Sequence, residues 1–154
     1  MRLSGAVLCV SAMVIGIFAF PSAVDLAAEL TGRGVERTIR VVSVAGDPGS
    51  QVIVPVEIDS GGNEVGLQFT LIFNPAVLSI SNISTGDPGG PNPDVMLGSG
   101  APPGTALTIN ATQAPTGRIG ILVDSNNAFQ ASPPARQIAT FRFTINPGAP
   151  AGMT

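Results

Sequence analysis

The stretch VGLQFTLIFNP, residues 65–75, decides the fold class. Its large apolar side chains stand at every second position, at Val65, Leu67, Phe69, Leu71 and Phe73. Side chains of a strand alternate between two faces, whereas a helix cannot gather this set on one side. We therefore predict a β-strand with one buried face, ended by a turn at Asn74-Pro75.

The same alternation recurs on both sides of this strand. In residues 51–59 one face holds Val52, Val54, Val56 and Ile58. On the opposite face, Pro55 predicts that this strand lies at a sheet edge or meets a bulge. Shorter apolar runs predict further strands near residues 38–44, 78–83, 95–97, 107–111, 119–123 and 139–145. Because Gly (19) and Pro (14) residues mark turns between these runs, we predict an all-β sandwich.

The side-chain inventory excludes several function classes. Charged residues make up 11% of the chain and the net charge is −3, so no basic patch can neutralise a nucleic-acid backbone. The chain has no His, Lys, Tyr or Trp, which removes most general bases, amine nucleophiles and imidazole metal ligands. No close pair of carboxylates stands out. We therefore expect a binding protein that is not an enzyme and has no nucleic-acid partner.

Residues 1–23 have the pattern of a secretory signal peptide. Arg2 precedes a nearly uncharged run, residues 3–20, and the small residues Ser22 and Ala23 follow it. We predict cleavage after this segment and an extracellular or cell-surface location. The alternative is a retained membrane anchor, because the run is long enough to span a bilayer.

The rest of the chain is predicted to hold a spacer, residues 24–37, and one folded module, residues 38–154. The single cysteine, Cys9, lies in the export segment, so the mature module is predicted to have no disulfide. Residues 85–104 are crowded with Gly and Pro, and so long a loop is a candidate for function.

Possible oxygen ligands for calcium occur at several turns, namely at Asp47, Asp59, Asp87 and the Asp-Ser-Asn-Asn run of residues 124–127. Their spacing matches no EF-hand loop. Asp and Asn also favour turns for conformational reasons alone. We predict no metal site and no cofactor, with a structural calcium ion left open.

Two predicted strands carry outward side chains that are candidates for partner binding. These are Gln68, Thr70 and Ile72 on one strand and Thr140, Arg142 and Thr144 on the other. The alternative is an ordinary solvated sheet face. The phenylalanines Phe69, Phe73, Phe141 and Phe143 share the parity of the aliphatic core, so we predict that they are buried and do not stack on a ligand.

The order of these motifs resembles that of the cohesin domain. The matching stretches are VVSVAGDPGSQVIVPVEID (residues 41–59), VGLQFTLIFNPAVLSISNISTG (65–86), GRIGILVDSN (117–126) and IATFRFTI (138–145). The resemblance covers about residues 40–154. It implies an antiparallel jelly-roll sandwich, similar also to some carbohydrate-binding modules. It further implies binding of dockerin modules, in a scaffold for extracellular polysaccharide degradation.

The sequence departs from the cohesin pattern in three ways. The corner that is commonly Tyr-Asp-Pro in cohesins is Phe73-Asn74-Pro75 here, and Gly66 and Gln68 stand where dockerin-binding cohesins carry Asn and Asp. The last strand of the family, which closes the sandwich against the first strand, has no counterpart before Thr154, which predicts an open sheet edge able to pair with other chains. The alternative functions are a carbohydrate-binding or adhesive module and a structural spacer. The shortage of aromatic residues argues against sugar binding.

Overall fold

The computed structural model describes residues 37–84, 86 and 93–150, together with the backbone of residues 6–7 and 11–14. In chain order the strands are β1 (Ala6–Val7), β2 (Ser11–Val14), β3 (Thr38–Val41), β4 (Ala45–Gly46), β5 (Gln51–Asp59), β6 (Gly66–Ile72), β7 (Leu78–Ser79), β8 (Val95–Leu97), β9 (Ala106–Asn110), β10 (Arg118–Asp124) and β11 (Arg136–Ile145). A 3₁₀ turn at Ala114–Thr116 is the only helical segment in these ranges. No helix in the described part of the chain is long and apolar enough to cross a membrane.

Two antiparallel sheets form the sandwich. The front sheet has the strand order β2-β6-β10-β9, and the back sheet has the order β3-β5-β11-β7, with β8 also paired to β11. The chain passes between the sheets repeatedly, from β5 in the back to β6 in the front, and from β10 in the front to β11 in the back. This exchange gives the jelly-roll arrangement, and the predicted all-β antiparallel sandwich is confirmed.

The hydrophobic core lies between the two sheets. Phe69 on β6 and Phe141 and Phe143 on β11 are almost completely buried. The ring of Phe143 packs against that of Phe73 with their centroids 5.0 Å apart. The prediction that the phenylalanines belong to the core is therefore confirmed, and they are not available to stack on a ligand.

The buried parity breaks down just before β6. Val65 was expected to be buried with Leu67, but its side chain is 38% exposed, so this expectation is wrong. The strand begins at Gly66, and the neighbouring buried position is held by Glu64. Alternation predicts a face only within a regular strand, and Val65 lies in the loop that precedes it.

Pro55 lies inside the back sheet, because β5 pairs with β3 on one side and β11 on the other. The prediction of an edge position is therefore wrong. The Pro55 carbonyl accepts a 2.9 Å hydrogen bond from the Val42 N–H, so the proline nitrogen faces the same side. β3 ends at Val41, because the next residue, Val42, lies opposite Pro55, which has no N–H to donate. The expected irregularity lies on the neighbouring strand, where the β11 register shifts between Gln137 and Ala139.

Two short strands from the predicted export segment join the module. β1 pairs with β4, and β2 pairs with the outer edge of β6. The sequence predicts an open edge beside the first strand of the module, and β4, with which β1 pairs, directly follows that predicted strand, whereas the edge of β6 is a separate one. The rest of the predicted signal peptide, and the predicted spacer up to residue 36, lie outside the described residues.

The predicted functional loop, residues 85–104, is described only in part. Its predicted short strand is present as β8, and Gly86 forms an isolated bridge with Ile109 of β9. Residues 85 and 87–92 lie outside the described residues. A functional role for this loop therefore stays a prediction.

Candidate functional site

The six residues predicted to bind a partner lie on two different sheets. Gln68, Thr70 and Ile72 point outward from β6 in the front sheet, whereas Thr140, Arg142 and Thr144 point outward from β11 in the back sheet. Because the core lies between the sheets, the two groups face opposite directions. They do not share one face, and each sheet has to be considered separately as a binding surface.

The outward side of the front sheet, which we call the front face, has an exposed apolar side chain at its centre. Leu122 on β10 is 43% exposed and lies between Gln68 of β6 and Thr108 of β9 in the sheet register. The next outward position along β10 is Gly120, which lies between Thr70 and Asn110. Glycine adds no side chain there, so a partner's backbone can approach the sheet closely.

Opposite charges stand at the two ends of the front face. Both are outward positions of β10, Arg118 at its first residue and Asp124 at its last. Both side chains are exposed, and neither forms an ion pair within the described residues. The strand separates them by roughly 20 Å, at about 3.4 Å per residue. The two ends of the front face therefore differ in charge, so a charged partner would bind preferentially in one orientation.

The outward side of the back sheet, which we call the back face, has its charges paired within the chain. Arg40 on β3 donates hydrogen bonds of 2.8 and 3.0 Å to Glu57 of β5. Arg142 is half-buried, and its guanidinium lies 3.9 Å from the Asp94 carboxylate. The back face also exposes Ile53, whose side chain is 52% exposed. Because its charges are already paired, it offers fewer groups to a partner than the front face does.

The family model for the cohesin domain matches residues 37–154. The chain belongs to the cohesin family. Cohesins are non-catalytic binding modules, which agrees with the expectation drawn from the missing His, Lys and Tyr residues. The predicted resemblance is confirmed, and the matched range begins one residue before the predicted start of the module.

One solved cohesin is similar to part of this chain. The seventh ScaB type I cohesin from Pseudobacteroides cellulosolvens is similar with 18% sequence identity and a TM-score of 0.45. The match covers 68% of this chain and 62% of that chain, so this cohesin spans less than two thirds of the length of its solved relative. No curated protein matches the chain.

A buried carboxylate holds one end of the cohesin module together. Glu64 has no exposed side-chain surface and forms an ion pair with Arg37. Its carboxylate also accepts hydrogen bonds from the Ser60 hydroxyl at 2.5 Å and from the Gly61 and Gly62 N–H groups at 3.1 and 3.2 Å. Nothing in the local pattern predicts this burial, because the partners surround Glu64 only once the loop between β5 and β6 has folded.

The environment of Glu64 sets its protonation state. Burial by itself raises the pKa of Glu64, but the hydrogen bonds from Ser60 and Arg37 outweigh this effect. The net result is a pKa lowered from 4.5 to about 2, so the carboxylate is ionised at neutral pH. A group that is charged at neutral pH and is held by loop donors is a structural element of the cohesin.

The acidic residues that the sequence offers as calcium ligands lie apart. Asp59 pairs with Arg40 at 3.3 Å, while the Asp47 carbonyl accepts the Ser50 hydroxyl in a tight turn. Asn127 donates to the Pro103 carbonyl at 3.2 Å. Asp87 lies outside the described residues. Within the described ranges, no three acidic, histidine or cysteine side chains come together in a group that could hold a metal ion.

The cohesin also has an apolar cavity of about 420 Å³ at one end of the sandwich. It is lined by Phe73, Pro75, Leu78, Ser79, Ile80, Ile83, Ala111, Ala114 and Pro115. The lining contains no charged side chain and only one hydroxyl group. Because specific ligand recognition needs several converging polar groups, the front face is the stronger candidate site.

Proposed function

We propose that this cohesin is an exported scaffold module that binds a dockerin-type protein partner on its front face. The observation that carries this proposal is the exposure of Leu122 at the centre of that face. The family is one of binding modules, and the charges of the front face form no ion pair within the described residues. The N-terminal pattern of residues 1–23 supports export.

The composition of the front face suits a helical partner. An apolar centre surrounded by uncharged polar groups is the arrangement in which a few buried contacts supply most of the binding energy. Leu122 supplies the apolar contact, and Gln68 and Thr108 flank it with hydrogen-bonding groups. The three strands β6, β10 and β9 span roughly 10 Å between their outer backbones, close to the diameter of one helix.

The charged ends of the face would orient such a partner. A helix of about 13 residues spans roughly the same 20 Å as β10. A dockerin-type helix pair with a basic group near Asp124 and an acidic group near Arg118 would match the face in one orientation only. Complementary charges at the rim give specificity and speed association more than they add affinity.

In this function the chain itself catalyses no reaction. Scaffolding in extracellular polysaccharide degradation requires the module only to hold a catalytic partner near its substrate. Direct carbohydrate binding is the competing function, but the chain lacks Trp and Tyr, the residues on which sugar rings stack best. We therefore place the polysaccharide with the partner and not with this module.

A pair of matched substitutions tests the proposal. Leu122→Arg adds a charge to the centre of the front face, and Ile53→Arg adds the same charge to an apolar site on the back face that is somewhat more exposed. The probes are recombinant dockerin modules from the source organism, titrated against the full chain by calorimetry with calcium and then with chelator. We expect Leu122→Arg to weaken binding at least about 100-fold, which is the loss typical of a hot spot, and Ile53→Arg to leave it unchanged.

Two outcomes would overturn this assignment. Equal effects of the two substitutions would show that the front face has no special role. If no dockerin binds and the wild-type chain is instead retained on insoluble polysaccharide, the carbohydrate-binding function would replace the dockerin-binding one.

A further inference from the structure

The front face has a notch in the middle of β10. Gly120 is the only outward position of this strand without a side chain, and in the sheet register it lies between Thr70 of β6 and Asn110 of β9. The next outward positions along β10 are Arg118 and Leu122, and both of these side chains are exposed. Four side chains therefore surround a position that has none, and we call the space above Gly120 the notch.

Neither the backbone conformation nor the packing of β10 requires a glycine at the notch. Gly120 lies in the middle of a regular strand and is not one of the glycines with a positive φ. A Cβ at this position would lie 3.3 Å from the Cβ of Asn110, an exposed side chain that has room to shift. At Gly117, by contrast, φ is 82° and a Cβ would clash with the carbonyl oxygen of Phe73. Because glycine weakens a strand and often marks a place where a ligand or another chain approaches closely, Gly120 indicates a contact with a partner.

The side chains around the notch offer hydrogen-bond donors. The Oδ1 atom of Asn110 accepts a 3.1 Å hydrogen bond from the Thr112 N–H, and its Nδ2 group, which can only donate, has no partner within the described residues. In the same part of the chain, the Thr70 hydroxyl and the Arg118 guanidinium form no hydrogen bond or ion pair. Among the outward positions of β6, β9 and β10, the only carboxylate is that of Asp124, roughly 14 Å away along β10. The notch therefore suits a group that accepts hydrogen bonds and carries negative charge.

We propose that Gly120 is the specificity-determining residue of the front face, and that the notch receives an aspartate or glutamate side chain of the protein partner. The inference rests on the proposed function, because it names the partner group that the front face selects. Arg118 and Asn110 donate hydrogen bonds to the carboxylate, and Leu122 packs against the carbon atoms of the same side chain. Hydrogen bonds between a guanidinium and a carboxylate are among the strong ones, whereas a partner without the carboxylate would leave these donors unpaired.

Filling the notch tests its role. Gly120→Thr in the full chain puts a side chain into the notch, and because threonine favours strands the denaturation midpoint should stay the same or rise. Binding of the recombinant dockerin modules from the source organism, measured by calorimetry, should weaken at least about tenfold. Gly148→Thr is the matched control, since Gly148 is exposed in the turn after β11 with open space around its Cβ position, and it should leave binding unchanged. Gly120→Ala adds a single carbon atom and should weaken binding by a smaller factor than Gly120→Thr.

A carboxylate-to-amide scan of the partner tests the chemistry of the notch. Each exposed Asp or Glu of the dockerin probe is changed singly to Asn or Gln, and each variant is titrated against the wild-type chain and against Arg118→Gln. At one position we expect the two changes together to weaken binding less than the product of their separate effects, by a factor of about five or more. Arg40→Gln on the back face is the control, and it should show no such coupling at any position.

Several outcomes would overturn the proposal. If Gly120→Thr binds dockerin as tightly as the wild type while Leu122→Arg does not bind, the front face works without the notch and only this inference fails. It fails equally if no acidic position of the probe couples to Arg118, which also decides the question if Gly120→Thr lowers the denaturation midpoint. If no dockerin binds the wild-type chain, the proposed function fails and this inference fails with it.

An acidic polysaccharide would present the same carboxylate chemistry as an acidic side chain. The wild-type chain and Gly120→Thr are therefore also titrated with oligogalacturonate. We expect no binding to either chain. Binding to the wild type that Gly120→Thr abolishes would assign the notch to an acidic sugar and overturn the assignment to a protein partner.

Discussion

The Ser60 hydroxyl donates a 2.5 Å hydrogen bond to the carboxylate of Glu64, a side chain with no exposed surface. Ser60 directly follows β5, and Glu64 lies two residues before β6, so this bond closes the connection between the back and front sheets. The carbonyl of Glu64 also accepts a 2.8 Å hydrogen bond from the Phe129 N–H. Glu64 is therefore the point at which several loops at this end of the sandwich meet.

Glu64→Gln should destabilise the fold strongly. The substitution keeps the size of the side chain but removes the charge that Arg37 and the loop donors require. We expect a loss of about 3 kcal/mol in the free energy of unfolding, measured by chemical denaturation. Glu57→Gln, which removes an exposed ion pair with Arg40, should cost less than about 1 kcal/mol. Similar losses for the two variants would show that the buried network contributes no more to stability than an exposed ion pair does.

Acid should destabilise the module through the same residue. Because the folded pKa of Glu64 is lowered to about 2 from 4.5, its stabilising contribution is fully present above about pH 4.5. It should be lost as the pH falls toward about 2, by an amount on the order of 3 kcal/mol. Denaturation midpoints measured across this range should show that slope for the wild type and a flatter one for Glu64→Gln. Parallel pH profiles would contradict the assignment.

Gly117→Ala should be far more costly than a similar change in an open turn. Gly117 has a φ of 82°, and an added Cβ would clash with the carbonyl oxygen of Phe73. We expect a loss of about 3 kcal/mol in unfolding free energy. Gly49 has a φ of 85° with nothing near its Cβ position, so Gly49→Ala should cost only about 1 kcal/mol. Thermal or chemical denaturation of both variants separates the steric effect from the backbone effect.

Asp124→Arg should slow association with a dockerin-type partner. The change reverses the charge at one end of the front face, so we expect the association rate to fall about tenfold at low salt. Because exposed charges are screened, the difference should shrink as the ionic strength rises. Asp47, which is exposed in a turn next to the back sheet, provides the matched reversal and should have no effect. An equal effect at Asp47 would indicate that only net charge matters.

Most of the strand pattern was predictable because alternation is a local property. The alternation of apolar and polar residues within a strand shows which of its faces is buried. The strands β5, β6 and β11 and the buried phenylalanines could therefore be predicted from the sequence alone. The predictions failed at residues whose position in the sheet cannot be read from the alternation of the sequence. Val65 shares the sequence spacing of the buried positions but lies outside the strand and is exposed, and Pro55 lies in an interior strand at the point where its neighbour β3 ends.

The candidate site was predictable only in part. Parity placed Gln68 and Arg142 on outward faces, but it carries no information about which sheet each strand joins. The exposed centre of the front face, Leu122, was missed because its sequence neighbours Ile121 and Val123 are apolar and buried. An apolar residue in an apolar run looks like core until the sheet that contains it is known.

The sequence by itself determined that this chain is an all-β cohesin with an apolar sandwich core and few of the side chains that usually take part in catalysis. Those conclusions depend on composition, on motif order and on the two-residue repeat of a strand, all of which are local along the chain. Only the tertiary structure decided that Gln68 and Arg142 face opposite ways, that Glu64 is buried against Arg37, and that β2 lines β6. These features join residues far apart in the chain, and their geometry exists only when the two sheets have packed together.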